Sequence, residues 1–251
     1  MEVTLRPDER IDQLSSQGIQ IIQSKNVFAF SLDAVLLAHF VRENQRHKLT
    51  TVDLCAGNGA IGLFLNRKLG GQIYEVEIQP RLADMAERSV RLNDLTDRYT
   101  VINDDLANVN QYVPKDAADI VTCNPPYFKV TPASQKNPNQ HLAIARHELT
   151  TTLERVVEQM SGLLKTNGHG YLVHRPDRLS EIIMTLEQHR LVPKRIQFIV
   201  PKPGQEANMV LIDAIKDAKA GGTKVLPEFV VADNHGQYTK QMMEILNGPT
   251  R

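Results

Sequence analysis

From about residue 50 onward the apolar positions switch repeatedly between two periods. Short runs rich in β-branched residues ("TTVDLCA", "GQIYEVE", "YTVIN", "ADIVTC", "YLVH", "RIQFIV" and "MVLIDAI") read as seven strands. Between them Ala60–Leu69, "PRLADMAERSVRLN", "TTLERVVEQMSGLLKTNGHG" and "RLSEIIMTLEQH" carry helical spacing. Pro80 opens the second of these helices and a Gly-rich stop closes the third. Strands that alternate with helices of this length predict βαβ units. The expected fold is α/β, with a largely parallel sheet covered on both faces.

Two flanks lie outside that alternation. Residues 1–48 hold "GIQIIQSKNVFAF", expected as a small hairpin, and "SLDAVLLAHFV", expected as a helix capped by Ser31. Residues 218–251 hold a Gly-rich break, a strand at "KVLPEFVV" and a helix around "QYTKQMMEIL". The chain therefore divides into an N-terminal extension (1–48), a core (49–217) and a C-terminal extension (218–251). Between Phe128 and about Arg146 the periodicity fails, and a loop of that length inside a compact domain is usually functional. It begins where "NPPY" ends.

Composition narrows the classes. No apolar run approaches the roughly 20 residues of a membrane span, and the N-terminus carries no apolar leader. Two cysteines, Cys55 and Cys123, exclude a disulfide framework and predict a cytoplasmic protein. The eight histidines show no metal-ligand spacing, so no metal is expected. Lys plus Arg and Asp plus Glu number 29 each, so no global field draws in nucleic acid. A local stripe is the alternative. Arg190, Lys194, Arg195 and Lys202 lie in a stretch without acids, and Lys129, Lys136 and Arg146 follow or lie near "NPPY".

The turn after the first core strand is "DLCAGNGAIG", in which Gly57, Gly59 and Gly62 spell G-x-G-x-x-G, and Glu77 lies 20 residues after Gly57. Glycines there let backbone N–H groups approach a ligand at a helix N-terminus, and the acid suits ribose hydroxyls. That much fits a nicotinamide dinucleotide equally well. Asp53 favours another ligand, because a carboxylate four residues before Gly57 repels a pyrophosphate yet suits a cationic amino acid. S-adenosylmethionine has an ammonium, a sulfonium and a ribose but no phosphate. Asp104 and Asp105 in "NDDL" are both candidates for the adenine amino group, with Asp105 preferred because Leu106 follows it.

In order and spacing, "VDLCAGNGAIG", "EVEIQP", "NDDL" and "NPPYF" resemble the class I methyltransferases that modify amino nitrogens. With "FSLDAVLLAHF", "ARHELTTTLE" and "GQYTKQMMEIL", the resemblance extends to the bacterial tRNA(Val) adenine-37 N6-methyltransferase group. It implies a Rossmann-like, seven-stranded sheet whose last strand is antiparallel. It also implies that Phe30, Ser31 and Asp33 close the methionine end of the cofactor pocket. Ala56, Ile78, Leu106 and Asn124 complete the cofactor-binding set within the matching motifs.

"NPPY" then acquires a chemical role. An exocyclic adenine nitrogen is a poor nucleophile, because its lone pair is delocalised into the ring. If the Asn124 side-chain oxygen and the Pro125 carbonyl each accept one of its hydrogens, the lone pair points at the sulfonium methyl. Pro125 and Pro126 stiffen the turn, and Tyr127 can stack on a base removed from its own stack. A glutamine side-chain amide is also planar and weakly nucleophilic, so a release-factor glutamine methyltransferase is the competing reading. Those enzymes usually begin with a larger helical domain, whereas this N-terminus is short. A non-catalytic binding module is the third class, disfavoured because every expected site residue is present.

Overall fold

The computed structural model describes residues 3–14, 18–24, 27, 32–129 and 148–247. A hairpin of β1 (Glu9–Leu14) and β2 (Ile19–Ser24) leads to α1 (Leu32–Phe40). The core then runs β3 (Thr50–Leu54), α2 (Ala60–Leu65), β4 (Gln72–Val76), α3 (Pro80–Leu92), β5 (Tyr99–Ile102) and β6 (Ala118–Cys123). After residue 147 come α4 (Leu153–Leu163), β7 (Leu164–His174), α5 (Leu179–Gln188), β8 (Leu191–Val200) and β9 (Met209–Lys216). Two short strands, β10 (Lys224–Val225) and β11 (Phe229–Val230), precede α6 (Lys240–Asn247).

The seven expected strands form one sheet in the order β8-β9-β7-β6-β3-β4-β5. Only β9 runs against its neighbours, between β7 and β8. Side chains alternate across it: Tyr171 and Val173 of β7 join the core under α1 and α2, while Leu172 joins the core under α4 and α5. Both faces are thus buried by helices, as the runs of β-branched residues required.

Several boundaries differ from expectation. The hairpin pairs Glu9–Leu14 with Ile19–Ser24, so its first strand precedes the apolar run, and Ser31 lies outside the described residues. Helix α2 ends at Leu65 rather than Leu69, because Lys68 turns back and donates to the carbonyls of Ala38 (2.9 Å) and His39 (2.7 Å). Strand β7 starts directly after α4, and its pairing with β6 shifts register where Asn167 takes a φ of 64°. The Gly-rich stop is therefore a bulge within the strand. "KVLPEFVV" is cut in two by Pro227, and both pieces pair in parallel with β8, widening the sheet to nine strands.

The hairpin is fastened to α3 by charge. Arg88 donates to Glu9 Oε2 (2.6 Å) and Oε1 (2.8 Å) and to Asp84 Oδ2 (2.7 Å), and Arg81 reaches Asp8 (3.0 Å). Strand β2 also touches the glycine loop, since Asn58 Nδ2 donates to the Ile22 carbonyl (3.1 Å).

Candidate active site

Strands β3, β4, β5, β6 and β7 all run the same way, so the segments that follow them meet at one edge of the sheet. In open α/β sheets that edge, where the strand order reverses, is where ligands bind. Here β3 sits between β6 and β4, and a cavity of about 450 Å³ opens beside it. Its wall includes Ala56, Gly57, Glu77, Ile78, Asp104, Asp105 and Leu106, and it continues through Asp33, Asn124, Pro125, Pro126 and Tyr127 to Phe128. Thus most of the expected cofactor set and the whole of "NPPY" face one space. Phe30 and Ser31 lie outside the described residues.

Glu77 is held at the cavity wall by two backbone donors: Gly57 N–H to Oε2 and Gln79 N–H to Oε1, both 2.8 Å. Burial raises its pKa, and those N–H groups pull it back. Gly57 takes a φ of +60°, and a Cβ added there would meet nothing within 4 Å, so its backbone borders open space beside the carboxylate. At the next strand end both oxygens of Asp104 accept hydrogen bonds from within the protein. Its Oδ1 accepts from Asp105 N–H (2.7 Å) and Asn108 (2.8 Å), and its Oδ2 from the Tyr112 hydroxyl (2.9 Å). Asp105 Oδ1 caps the following 3₁₀ turn by accepting from Ala107 N–H (2.9 Å) and takes a long contact from Arg155 (3.5 Å). Among the described residues its Oδ2 accepts no hydrogen bond.

Two residues of the glycine motif have a different job from the one expected. Neither Gly59 nor Gly62 lines the cavity. Instead, a Cβ on Gly59 would come within 2.8 Å of Glu75 Oε2, and one on Gly62 within 2.1 Å of Glu75 Oε1. They make room for Glu75, a wholly buried carboxyl with no hydrogen-bond partner on either oxygen among the described residues. Asp53 is also corrected. It stands directly opposite Glu75 on β3, is 0% exposed and lies outside the cavity wall. Its Oδ1 accepts from the Thr122 hydroxyl (2.6 Å), and burial pushes its pKa up to about 7 against that bond. A carboxyl so placed does not face the cavity. Burial and the nearby Asp53 likewise push Glu75 well up. Sequence spacing identifies the glycines but not what they face, because an acid on a central strand looks like any other alternation.

The "NPPY" turn is clamped from behind. Arg178 Nη1 donates to the Tyr127 carbonyl (3.0 Å) and to Glu148 Oε1 (2.9 Å), and Nη2 to Glu181 (2.7 Å). Glu148 also accepts from Leu153 N–H (3.1 Å), at the start of α4. Arg178 was missed by the sequence reading. Its signal is position, just past the end of a parallel strand at the ligand edge. The Tyr127 hydroxyl lies 2.6 Å from both Asp33 Oδ2 and Asn124 Oδ1, and its ring packs at 5.1 Å against His174. His174 accepts from Arg175 N–H at Nδ1 (2.8 Å), and burial holds its pKa down to about 4. It is a buried neutral ring that packs behind the turn. Phe128 projects from the turn, 42% exposed, with the Arg175 guanidinium 5.4 Å from its ring centre.

The expected phosphate stripe does not assemble. Arg190 pairs with Asp217 (2.6 Å), and Lys194 donates to the Gly221 carbonyl (2.6 Å). Arg195 lies over Phe40 (4.2 Å to the ring centre) and against Asp213 (3.3 Å), with its side chain only 13% exposed. Strand β8 carries them away from the site; of the four, Lys202 alone follows its end at the ligand edge. Lys136 and Arg146 lie outside the described residues. Among the described residues no cluster of His, Cys, Asp or Glu is placed to hold a metal ion, and no helix is long and apolar enough to cross a membrane.

The sheet order and the cavity at its edge are those of a methyltransferase, and the chain belongs to the family described as "Methyltransferase small domain", whose model matches residues 18–201. Individual relatives are more specific. A protein of Porphyromonas gingivalis named "tRNA1(Val) (adenine(37)-N6)-methyltransferase" is 26% identical over 205 residues, which is 80% of this chain and 79% of that one. The crystal structure of a predicted O-methyltransferase, protein Atu636 from Agrobacterium tumefaciens, superposes with a TM-score of 0.68 at 25% identity, covering 86% of this chain and 96% of that one. M. jannaschii TYW2, solved in complex with AdoMet, is similar in fold alone, with a TM-score of 0.56 at 16% identity over 84% of this chain and 87% of that one.

Proposed function

We propose that this protein transfers a methyl group from S-adenosylmethionine to the exocyclic N6 of an adenine in tRNA, the adenine at position 37 of tRNA(Val) being the acceptor that its relatives' names indicate. The observation that carries this is the continuity of one cavity from the Glu77 carboxylate to the Asn124–Pro125 carbonyl pair. Glu77 would hold the ribose hydroxyls, Asp105 Oδ2 the adenine amino group, and Ile78 and Leu106 would flank the base. Gly57 would admit the ligand beside its own backbone. When bound, the cofactor supplies a methyl already activated by its sulfonium.

What the protein adds is placement. The Asn124 side-chain oxygen and the Pro125 carbonyl each accept one hydrogen of the acceptor amino group. That geometry turns the nitrogen lone pair out of conjugation and towards the methyl. As the nitrogen becomes cationic both contacts strengthen, and its surplus proton rests on them until water removes it. No base is needed before transfer. Pro126 keeps the turn rigid, and Phe128 offers a face to the extruded base. A tRNA substrate also makes the protein a cytoplasmic one.

Mass spectrometry of digested tRNA from cells with and without the gene tests this. Loss of N6-methyladenosine from one tRNA, restored by the purified protein with S-adenosylmethionine, is the expected result. Unchanged tRNA together with a lost methyl on a release-factor glutamine would overturn it.

A further inference from the structure

Two oxygens crowd one proton at the centre of the site. The Tyr127 hydroxyl is 2.6 Å from Asp33 Oδ2 and 2.6 Å from Asn124 Oδ1, yet a phenol has a single hydrogen to donate. A carboxylate is the stronger acceptor, and a charge-assisted bond is about twice as strong as a neutral one. The proton therefore belongs to Asp33. An amide oxygen facing the bare lone pair of the phenol at that distance would be repelled. A half-turn about the Asn124 χ2 exchanges its oxygen and nitrogen in almost the same positions, and the hydrogen-bond network decides between them.

We infer that Asp33 and Tyr127 are positioning residues that fix the Asn124 amide with Nδ2 donating to the Tyr127 oxygen, so that Oδ1 faces the cavity as an acceptor. The chain runs Asn124 N–H to Tyr127 O–H to the Asp33 carboxylate, each link polarising the next. All three groups are then satisfied. The far end of the amide has no other partner among the described residues, and Asn124 lines the cavity, so that end meets the substrate. The opposite orientation would present an N–H donor to an incoming amino group, which is itself a donor, and would reject it. Asp33 lies on α1, ahead of the core strands, so the polarity of "NPPY" is set by a residue 91 positions away from Asn124 in the chain.

This rests on the proposed role of Asn124, and the test separates the two. In protein with labelled asparagine side-chain amides, the Asn124 Nδ2 protons should show a nuclear Overhauser effect to the Tyr127 ring protons beside the hydroxyl. Its absence overturns the inference whatever the substrate proves to be. Kinetically, Tyr127→Phe should lower the single-turnover rate on tRNA roughly ten- to a hundredfold, the scale on which misplacing a reacting group acts. Affinity for S-adenosylhomocysteine should stay within about twofold in that variant, since Tyr127→Phe keeps the ring. Asp33→Ala should slow the same step, Asp33→Asn should recover part of it, and the pair Tyr127→Phe with Asp33→Ala should be no slower than the worse single change. If Asn124→Ala is inactive while Tyr127→Phe turns over normally, the inference fails and the proposed function stands. If Asn124→Ala is fully active on tRNA, the proposed function itself fails.

Discussion

Replacing Gly62 by Ala isolates the space that the glycine motif reserves for Glu75. Gly62 lies within α2 and is not among the glycines of positive φ, so the backbone tolerates alanine, and helix propensity alone would favour it by about 1 kcal/mol. The added Cβ, however, would sit 2.1 Å from Glu75 Oε1 and 3.1 Å from its Cδ. Glu75 is 0% exposed on a central strand and cannot swing into solvent, so the helix or the strand must shift. Overpacking of this kind costs about 1–3 kcal/mol, and the clash is at its severe end. The net expectation is a loss of about 2 kcal/mol, a fall of about 4–8 °C in melting temperature for a chain of this size. In a Glu75→Ala background the obstacle is gone, and the same Gly62→Ala change should be neutral or stabilising. The coupling between the two positions is then about 2 kcal/mol or more by urea denaturation. Additive effects would refute the account and return Gly62 to the role of a ligand-loop glycine.

Glu77→Ala should weaken S-adenosylhomocysteine binding by about 1–3 kcal/mol by calorimetry, the cost of a lost charged acceptor; an unchanged affinity would remove Glu77 from the site. Asp53 should make the protein less stable as pH rises. Its folded-state pKa of about 7 lies above the unfolded value near 3.8, so its contribution is complete below the unfolded value and is lost as pH rises through about 7. The difference corresponds to about 4 kcal/mol at most. Asp53→Asn should therefore flatten the stability–pH curve between those limits, with Glu75 retaining some slope, and identical curves would contradict the burial argument. Arg195→Gln should leave the salt dependence of tRNA binding unaltered, where a phosphate contact would change the slope by about one. The same change should lower stability by about 1–2 kcal/mol, because Asp213 loses a buried partner; a reduced slope would restore the stripe.

Periodicity carried the fold well, because the central strands β3, β6 and β9 are buried on both faces and each long helix on one. The strand ends at "DLCAGNG", "EVE", "NDDL" and "NPPY" were legible for the same reason, since parallel strands deliver them to a common edge. Partnership across the fold was not legible. Arg190, Lys194 and Arg195 look unpaired in a stretch without acids, yet Asp217, Asp213 and the Gly221 carbonyl reach them from β9 and the turn beyond it. Asp53 looks like a ligand because its spacing from Gly57 is right, but spacing does not say on which side of the sheet a strand residue points. Arg178 has no motif at all. Only the meeting of β7 with β6 puts its guanidinium against the Tyr127 carbonyl.

The attachment of the hairpin to the glycine loop bears on how such a site can be inherited. Ile22 on β2 holds Asn58, and Asp33 on α1 holds Tyr127, so the first fifty residues supply both ends of the cavity with a contact. A segment beginning at Leu49 would carry the glycine turn, the two acidic strand ends and "NPPY", and would still lack these two supports. Recombination that exchanged the leader while keeping the motifs would transmit the signature without the working geometry. The unit that must be kept together for the site to hold its shape is therefore longer than the core that those motifs mark.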